Sequence, residues 1–321
     1  MARITYIVGN GLDLSLDMNT SYRDFYEHMK MSKPRAENRI FKAIQESPEN
    51  WGDFELSLGE YTHYLEKFPE KNLKTESIKL HEELEEIRDD LANYLAAEQK
   101  KAEDKINNTI LTSNGYYIDL PSGQRSLIDR ANANGGTTFQ FITLNYTRTL
   151  EEILVNSSDR LLSRSIKLLK PHHIHGDLDE DMTLGVSDES QLSSSMTGAE
   201  RDDLIKPNLI YSTNDGRMDT LTNMIKSSTT IVMYGTSIGE TDKYIWRIVN
   251  DWLVENEKNH VIIHAHNSAY TTSVKRSSRM KNQFISNVQE RLLRFSGQDG
   301  DTMAEMKSRV FVVHNTDNLF D

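Results

Sequence analysis

Four short stretches carry residue types suited to holding and turning over a phosphate-bearing ligand. They are Gly9-Asn10-Gly11, Asn145-Tyr146-Thr147, His175-Gly176 and Gly235-Thr236-Ser237. Glycine admits positive φ and lets the backbone come close to a ligand. The amides around Gly9 to Gly11, and a helix N-terminus beyond Gly235, would then cradle phosphate oxygens. Asn145 offers one acceptor and two donors, which suits orienting a sugar or a water. His175 supplies a base, since imidazole titrates near pH ~6.5. Ser237 can donate to a phosphate or sugar oxygen, Asp13 can accept from a hydroxyl, and the planar fork of Arg23 suits a phosphate.

Each residue also has a plainer reading. Gly9-Asn10-Gly11 is either a ligand cradle or a tight strand-to-helix turn. Asp13 either reaches the ligand or caps the following helix. Ser237 and Glu240 have capping-box spacing, Ser-x-x-Glu. Glu55 either reaches the pocket or pairs with an arginine between sheet and helix. A second chemistry is metal binding, with His172, His173, His175, His264 and His266 beside Asp177 or Asp179 as ligands for a divalent ion. The expectation is that no metal is held.

The elements that must position these groups read as a doubly wound α/β fold. Arg3 to Val8 is a strand that runs into Gly9-Asn10-Gly11-Leu12-Asp13-Leu14, and a helix follows with Tyr22, Phe25, Tyr26 and Met29 on one face. Leu14 stands where the dinucleotide fingerprint Gly-x-Gly-x-x-Gly needs its third glycine. Further strands are predicted over Thr138–Asn145, Ser165–Ile174, Thr230–Tyr234, His260–His266 and Arg309–His314. Helices alternate with them over Arg148–Val155, through Tyr244, Ile245, Ile248, Val249 and Trp252, and near 281–295. Ligands in such sheets bind outside the carboxyl ends of the strands, so the four polar ends are expected to share one crevice.

Residues 1–34 and 137–321 therefore form the α/β nucleotide-binding domain, and 35–136 a helical insertion. In the insertion Leu80, Leu84, Ile87, Leu91 and Leu95 make an apolar stripe. Residues 113–137, with Gly115, Pro121 and Gly123, read as turns with a short hairpin. Residues 180–215, rich in Ser, Asp and Glu, read as an irregular surface segment.

The chain of 321 residues carries a net charge of −12 and no cysteine. That balance argues against general nucleic-acid binding, which needs clustered Lys and Arg. The lack of cysteine excludes disulfides and thiolate catalysis, and fits a cytoplasmic protein. No stretch reaches the ~18 apolar residues of a membrane helix.

Gly9-Asn10-Gly11-Leu12-Asp13-Leu14, followed by Thr20-Ser21-Tyr22-Arg23-Asp24-Phe25, resembles the N-terminal signature of the abortive-infection AbiH family of bacterial anti-phage proteins. The later motifs come in the same order: Trp51-Gly52-Asp53-Phe54-Glu55, Phe141 to Thr147, Ile174-His175-Gly176, and Tyr234 to Asp242. The same landmarks distantly resemble sirtuin-type NAD-binding domains, with their Gly-Ala-Gly turn, Phe-Arg loop, Asn-Ile-Asp motif, His-Gly and Gly-Thr-Ser. Thr147 stands where sirtuins have Asp, and the sirtuin zinc cysteines are missing. The first departure bears on ribose contacts at that position, the second points away from protein deacylation, and the likeness to sirtuin-like defence effectors implies NAD hydrolysis instead.

The resemblance implies an anti-phage protein with NAD or a related nucleotide as ligand. Asn145 and His175 would be catalytic. Gly9, Asn10, Gly11, Asp13, Tyr22, Arg23, Gly235, Thr236, Ser237 and Asp242 would bind the nucleotide. Alternatives are a non-catalytic nucleotide sensor that signals by assembly, and a metal-dependent nuclease or phosphohydrolase. A phage-derived trigger, a partner protein or a second copy of the chain are the partners such a protein would meet, with gating expected in the helical insertion and 180–215.

Overall fold

The computed structural model describes residues 2–31, 38–46, 54–132, 136–196, 198–266, 277–314 and 318–321. Its centre is a wholly parallel sheet of β1 (Ala2–Val8), β2 (Thr137–Thr143), β3 (Ile166–Leu168), β4 (His172–His173), β5 (Thr230–Tyr234), β6 (His260–Ala265) and β7 (Val310–His314). The order is β3-β2-β1-β5-β6-β7, with β4 paired to β2. The helices are α1 (Gly11–Ser15), α2 (Tyr22–Met31), α3 (Arg39–Glu46), α4 (Phe54–Tyr61), α5 (Glu70–Lys101), α6 (Glu103–Asn108), α7 (Ser122–Ala131), α8 (Thr149–Leu162), α9 (Ala199–Asp202), α10 (Lys206–Ser212), α11 (Arg217–Lys226), α12 (Lys243–Glu255), α13 (Ser278–Leu293) and α14 (Gly300–Ser308).

Alternation along the strands builds two cores, because successive side chains point to opposite faces. Ile4, Tyr6, Val8, Phe139, Phe141 and Val232 pack with Leu150, Ile153 and Leu154 of α8. Ile7, Ile142, Ile231, Met233 and Ile263 pack on the other face with Leu221 of α11 and Ile245, Val249 and Trp252 of α12. A sheet covered on both faces needs strands that are apolar nearly throughout, as these are. The expected α/β Rossmann-like fold is the observed one.

A third core is helical. Phe25, Tyr26 and Met29 of α2, Leu58 of α4, and Leu80, Leu84, Ile87 and Leu91 of α5 pack together. Met182, Leu184, Val186, Leu204 and Ile205 join them. Within the segment 180–215 expected at the surface, 182–186 and 204–205 are instead buried against the helices, tied by Val186 N to Leu204 O at 2.8 Å and Lys206 N to Val186 O at 2.8 Å. The cores also cross the boundaries expected at 35 and 136. Residues 22–31 belong with the helical layer, whereas Ile106, Tyr116, Leu120 and Ile128 pack on the sheet.

Two local expectations change. The strand expected over 165–174 is split into β3 and β4, with Lys170-Pro171 between them, because proline has no N–H for the ladder. The hairpin expected within 113–137 is replaced by α7, which Pro121 starts. Trp51, Gly52 and Asp53 lie outside the described residues. Among the described residues no helix is long and apolar enough to cross a membrane.

Candidate functional site

The chain leaves β1 for β2 and β3 on one side, then returns past β1 to β5, β6 and β7 on the other. The order reverses between β1 and β5, and Val8 is in register with Tyr234. Their carboxyl ends, Gly9-Asn10-Gly11 and Gly235-Thr236-Ser237, open side by side onto a crevice of about 1020 Å³. This is the switch point at which open α/β sheets bind ligands.

The glycines answer first to each other. Gly9 N donates to Tyr234 O and Gly11 N to Gly235 O, both at 2.9 Å. A Cβ on Gly11 would stand 2.3 Å from Gly235 Cα, and Gly235 itself has φ +66°. The expected cradle is corrected on this point: the Gly9 and Gly11 amides are already committed to carbonyls. The helix expected just beyond Gly235 is displaced as well. Gly239 caps a 3-10 turn over Glu240–Asp242 with no side-chain cap, so Ser237 and Glu240 do not form a capping box, and α12 starts only at Lys243.

Asp13 is not a helix cap. It lies inside α1, buried at 1% exposure, and Thr147 Oγ1 donates to its Oδ2 at 2.7 Å. Its Oδ1 is buried without a partner, and so is Oδ1 of Asn145. Burial lifts the Asp13 carboxyl to about 6, and the Thr147 bond with the nearby polar Thr149 and Asn145 opposes the rise only in part. Asn10 turns its amide onto Thr20, with Nδ2 to Thr20 O at 3.0 Å and Thr20 Oγ1 to its Oδ1 at 2.7 Å. That pair closes the loop between α1 and α2. Tyr22, Thr236, Ser237 and Asp242 line the crevice with these residues. Arg23 is exposed on α2 and is not among the lining residues, which removes it as the expected phosphate clamp.

His175 is buried at the end of a polar chain that the sequence did not announce. Its Nε2 is 2.9 Å from Tyr244 Oη and 3.3 Å from Asp242 Oδ1. Lys206 Nζ is 2.7 Å from that same Asp242 oxygen and 2.6 Å from Glu55 Oε2. Gly185 N donates to the other Glu55 oxygen at 3.2 Å. Glu55 therefore pairs with a buried lysine and lines the crevice as well. Burial opposes charge on Lys206, but Asp242 and Glu55 hold its ammonium above the ordinary lysine range. Burial likewise opposes charge on Asp242, and Lys206 and His175 hold it well below the carboxylate range. Burial and then the Lys206 charge push His175 down, so its imidazole is neutral at pH 7.

The histidines considered as metal ligands do not converge. His172 Nε2 meets Arg217 O at 2.8 Å, His173 faces Glu151, and His264 Nε2 meets Tyr116 O at 3.0 Å. Among the described residues no group of three or more His, Cys, Asp or Glu is arranged to hold a metal ion.

Fold and site thus define a Rossmann-like α/β protein with a crevice at its switch point and a helical layer closing one side. Residues 5–264 match the family model for bacteriophage abortive infection AbiH, and the chain belongs to that family. No curated protein matches it.

Proposed function

We propose that this abortive-infection protein binds NAD or a related nucleotide in the crevice and hydrolyses its N-glycosidic bond. One observation carries the reading. Two buried acceptors without partners, Asp13 Oδ1 and Asn145 Oδ1, stand at the switch-point crevice. A buried acceptor left without a donor is costly, so these atoms call for a ligand rich in donors, such as a ribose diol. Asp13, Asp17, Glu55 and Asp242 line the crevice against Lys206 and Arg291, an acidic balance that favours a ligand with a positive ring there over a phosphate.

In hydrolysis, water adds to C1′ of the ribose as the bond to the nicotinamide nitrogen breaks. The electron pair leaves with the ring, which becomes neutral. Asn145 orients the ribose or the water. The water's proton passes to the neutral His175 imidazole, and Asp13 accepts from a ribose hydroxyl. Glu55 of α4 and Lys206 of α10 tie the helical layer to this site, giving an infection trigger a physical route to it.

Purified protein incubated with NAD should release nicotinamide, measured by chromatography, and Asn145→Ala and His175→Ala should each abolish release. Release unchanged in both variants would overturn the assignment. A second reading, binding without turnover, has its own support: Tyr244 and Asp242 already occupy His175 Nε2. Tight NAD binding without nicotinamide release, in protein that still protects cells from phage, would select it.

A further inference from the structure

The loop carrying Asn145 is held by a histidine placed between two acceptors. His173 closes β4, in register with Thr143 of β2. Its Nδ1 lies 3.0 Å from the main-chain oxygen of Asn145, and its Nε2 lies 2.6 Å from Glu151 Oε1 in the first turn of α8. A carbonyl and a carboxylate only accept, and a neutral imidazole has one N–H to give. Only the doubly protonated ring satisfies both at once.

The surroundings agree. Glu151 faces the ring from α8, and Asp177 from the loop after β4, itself bound by Arg148 Nε and Nη2 at 3.1 and 2.9 Å. On β4, neighbouring His172 is turned to Arg217 O. Burial opposes charge on His173, but the Glu151 carboxylate, then the Asn145 carbonyl and Asp177 outweigh it and raise its titration above the usual 6.5.

We infer that His173 is a positioning residue: as an imidazolium bridging Glu151 and the Asn145 carbonyl, it holds the Asn145 side chain at the crevice. The inference rests on the reading of Asn145 as a ligand contact. The bridge is complete at pH below the raised His173 value and is lost as pH rises through it.

The test pairs imidazole ¹⁵N NMR with calorimetric NAD binding across pH 5.5–9 on the full chain. His173 should carry both ring protons at pH 7, and Glu151→Gln should lower its titration. NAD binding should weaken about tenfold as His173 deprotonates. That fall should move to lower pH in Glu151→Gln. In Asn145→Ala, which keeps the carbonyl, it should vanish while His173 titrates as before. A His173 with one ring proton at pH 7, or a fall in binding that Glu151→Gln leaves in place, overturns the inference. If NAD binds at no pH, the proposed function fails, and the Asn145 side-chain amide signals decide the inference alone. Signals that move with His173 titration uphold it, and signals that stay fixed overturn it.

Discussion

Replacing Lys206 with methionine is the sharpest perturbation of the buried charges. The Lys206 side chain is 1% exposed, and its ammonium is 2.6 Å from a Glu55 oxygen and 2.7 Å from an Asp242 oxygen. Lys206→Met keeps the stem's volume and leaves two carboxylates, 6% and 15% exposed, without their cation. Removing one partner from a buried ion pair costs about 3–5 kcal/mol, a large share of the ~5–15 kcal/mol that holds a typical domain folded. Urea unfolding followed by far-UV circular dichroism should show that loss with an unchanged m-value.

The pH profile gives a second signature of the same substitution. In the wild type Asp242 is held low, so its stabilisation is present above the ordinary carboxylate value and lost only as pH falls through the depressed one. Lys206 is held high, so its share is present below the ordinary lysine value and lost as pH rises through the raised one. The Lys206–Asp242 pair is therefore insensitive between roughly pH 5 and 9, whereas neutral His175 withdraws its share as pH falls below its ordinary value of about 6.5. In Lys206→Met the stranded carboxylates favour protonation, and the variant should regain stability as pH falls from 8 to 5. Adding Glu55→Gln should restore part of the loss. A single variant within about 1 kcal/mol of wild type at pH 7, with a parallel pH curve, would refute the reasoning.

Other substitutions test the turns and the carboxyl. Gly11→Ala places a methyl 2.3 Å from Gly235 Cα, between two backbones that cannot yield, and should cost about 1–3 kcal/mol or more in thermal or urea unfolding. Gly123→Ala meets nothing within 4 Å on α7 and should be neutral or stabilising by up to about 1 kcal/mol, the control for that comparison. Asp13 has a folded value raised to about 6, so folding is favoured while it is protonated and loses ground as pH rises through that value. From the shift of about two units, wild-type stability should drop by about 3 kcal/mol between pH 4 and 8 on its account. Asp13→Asn should flatten that limb in melting curves and weaken NAD binding. A variant as pH-sensitive as wild type would contradict the assignment.

The sheet was legible because apolar runs such as Thr230 to Tyr234 and Thr138 to Thr143 end in glycine or asparagine, where a buried parallel strand must stop. The end of the sheet that carries the crevice followed from topology alone. Partners distant in the chain were not legible. Lys206 reads as one lysine before a proline, and its two carboxylates lie 151 and 36 residues away. The one hint was a lone charge between Leu204-Ile205 and Leu209-Ile210. The glycine pair was visible, but not that Gly235 fills the space it clears. Met182, Leu184 and Val186 are spaced among serines and acids that mask a buried segment, which lies against α4, with Gly185 N bonded to Glu55, 130 residues earlier. Arg23 had the right chemistry on a helix face turned away from the crevice.

The most direct measurement is calorimetric titration of the purified protein with NAD, with nicotinamide followed in the same sample. Saturable binding of one NAD per chain, weakened in Asp13→Asn and Asn145→Ala and accompanied by nicotinamide release, is the predicted result. No binding of NAD or any common nucleotide, or binding that both substitutions leave untouched, would contradict a ligand held by the two buried acceptors at the switch point.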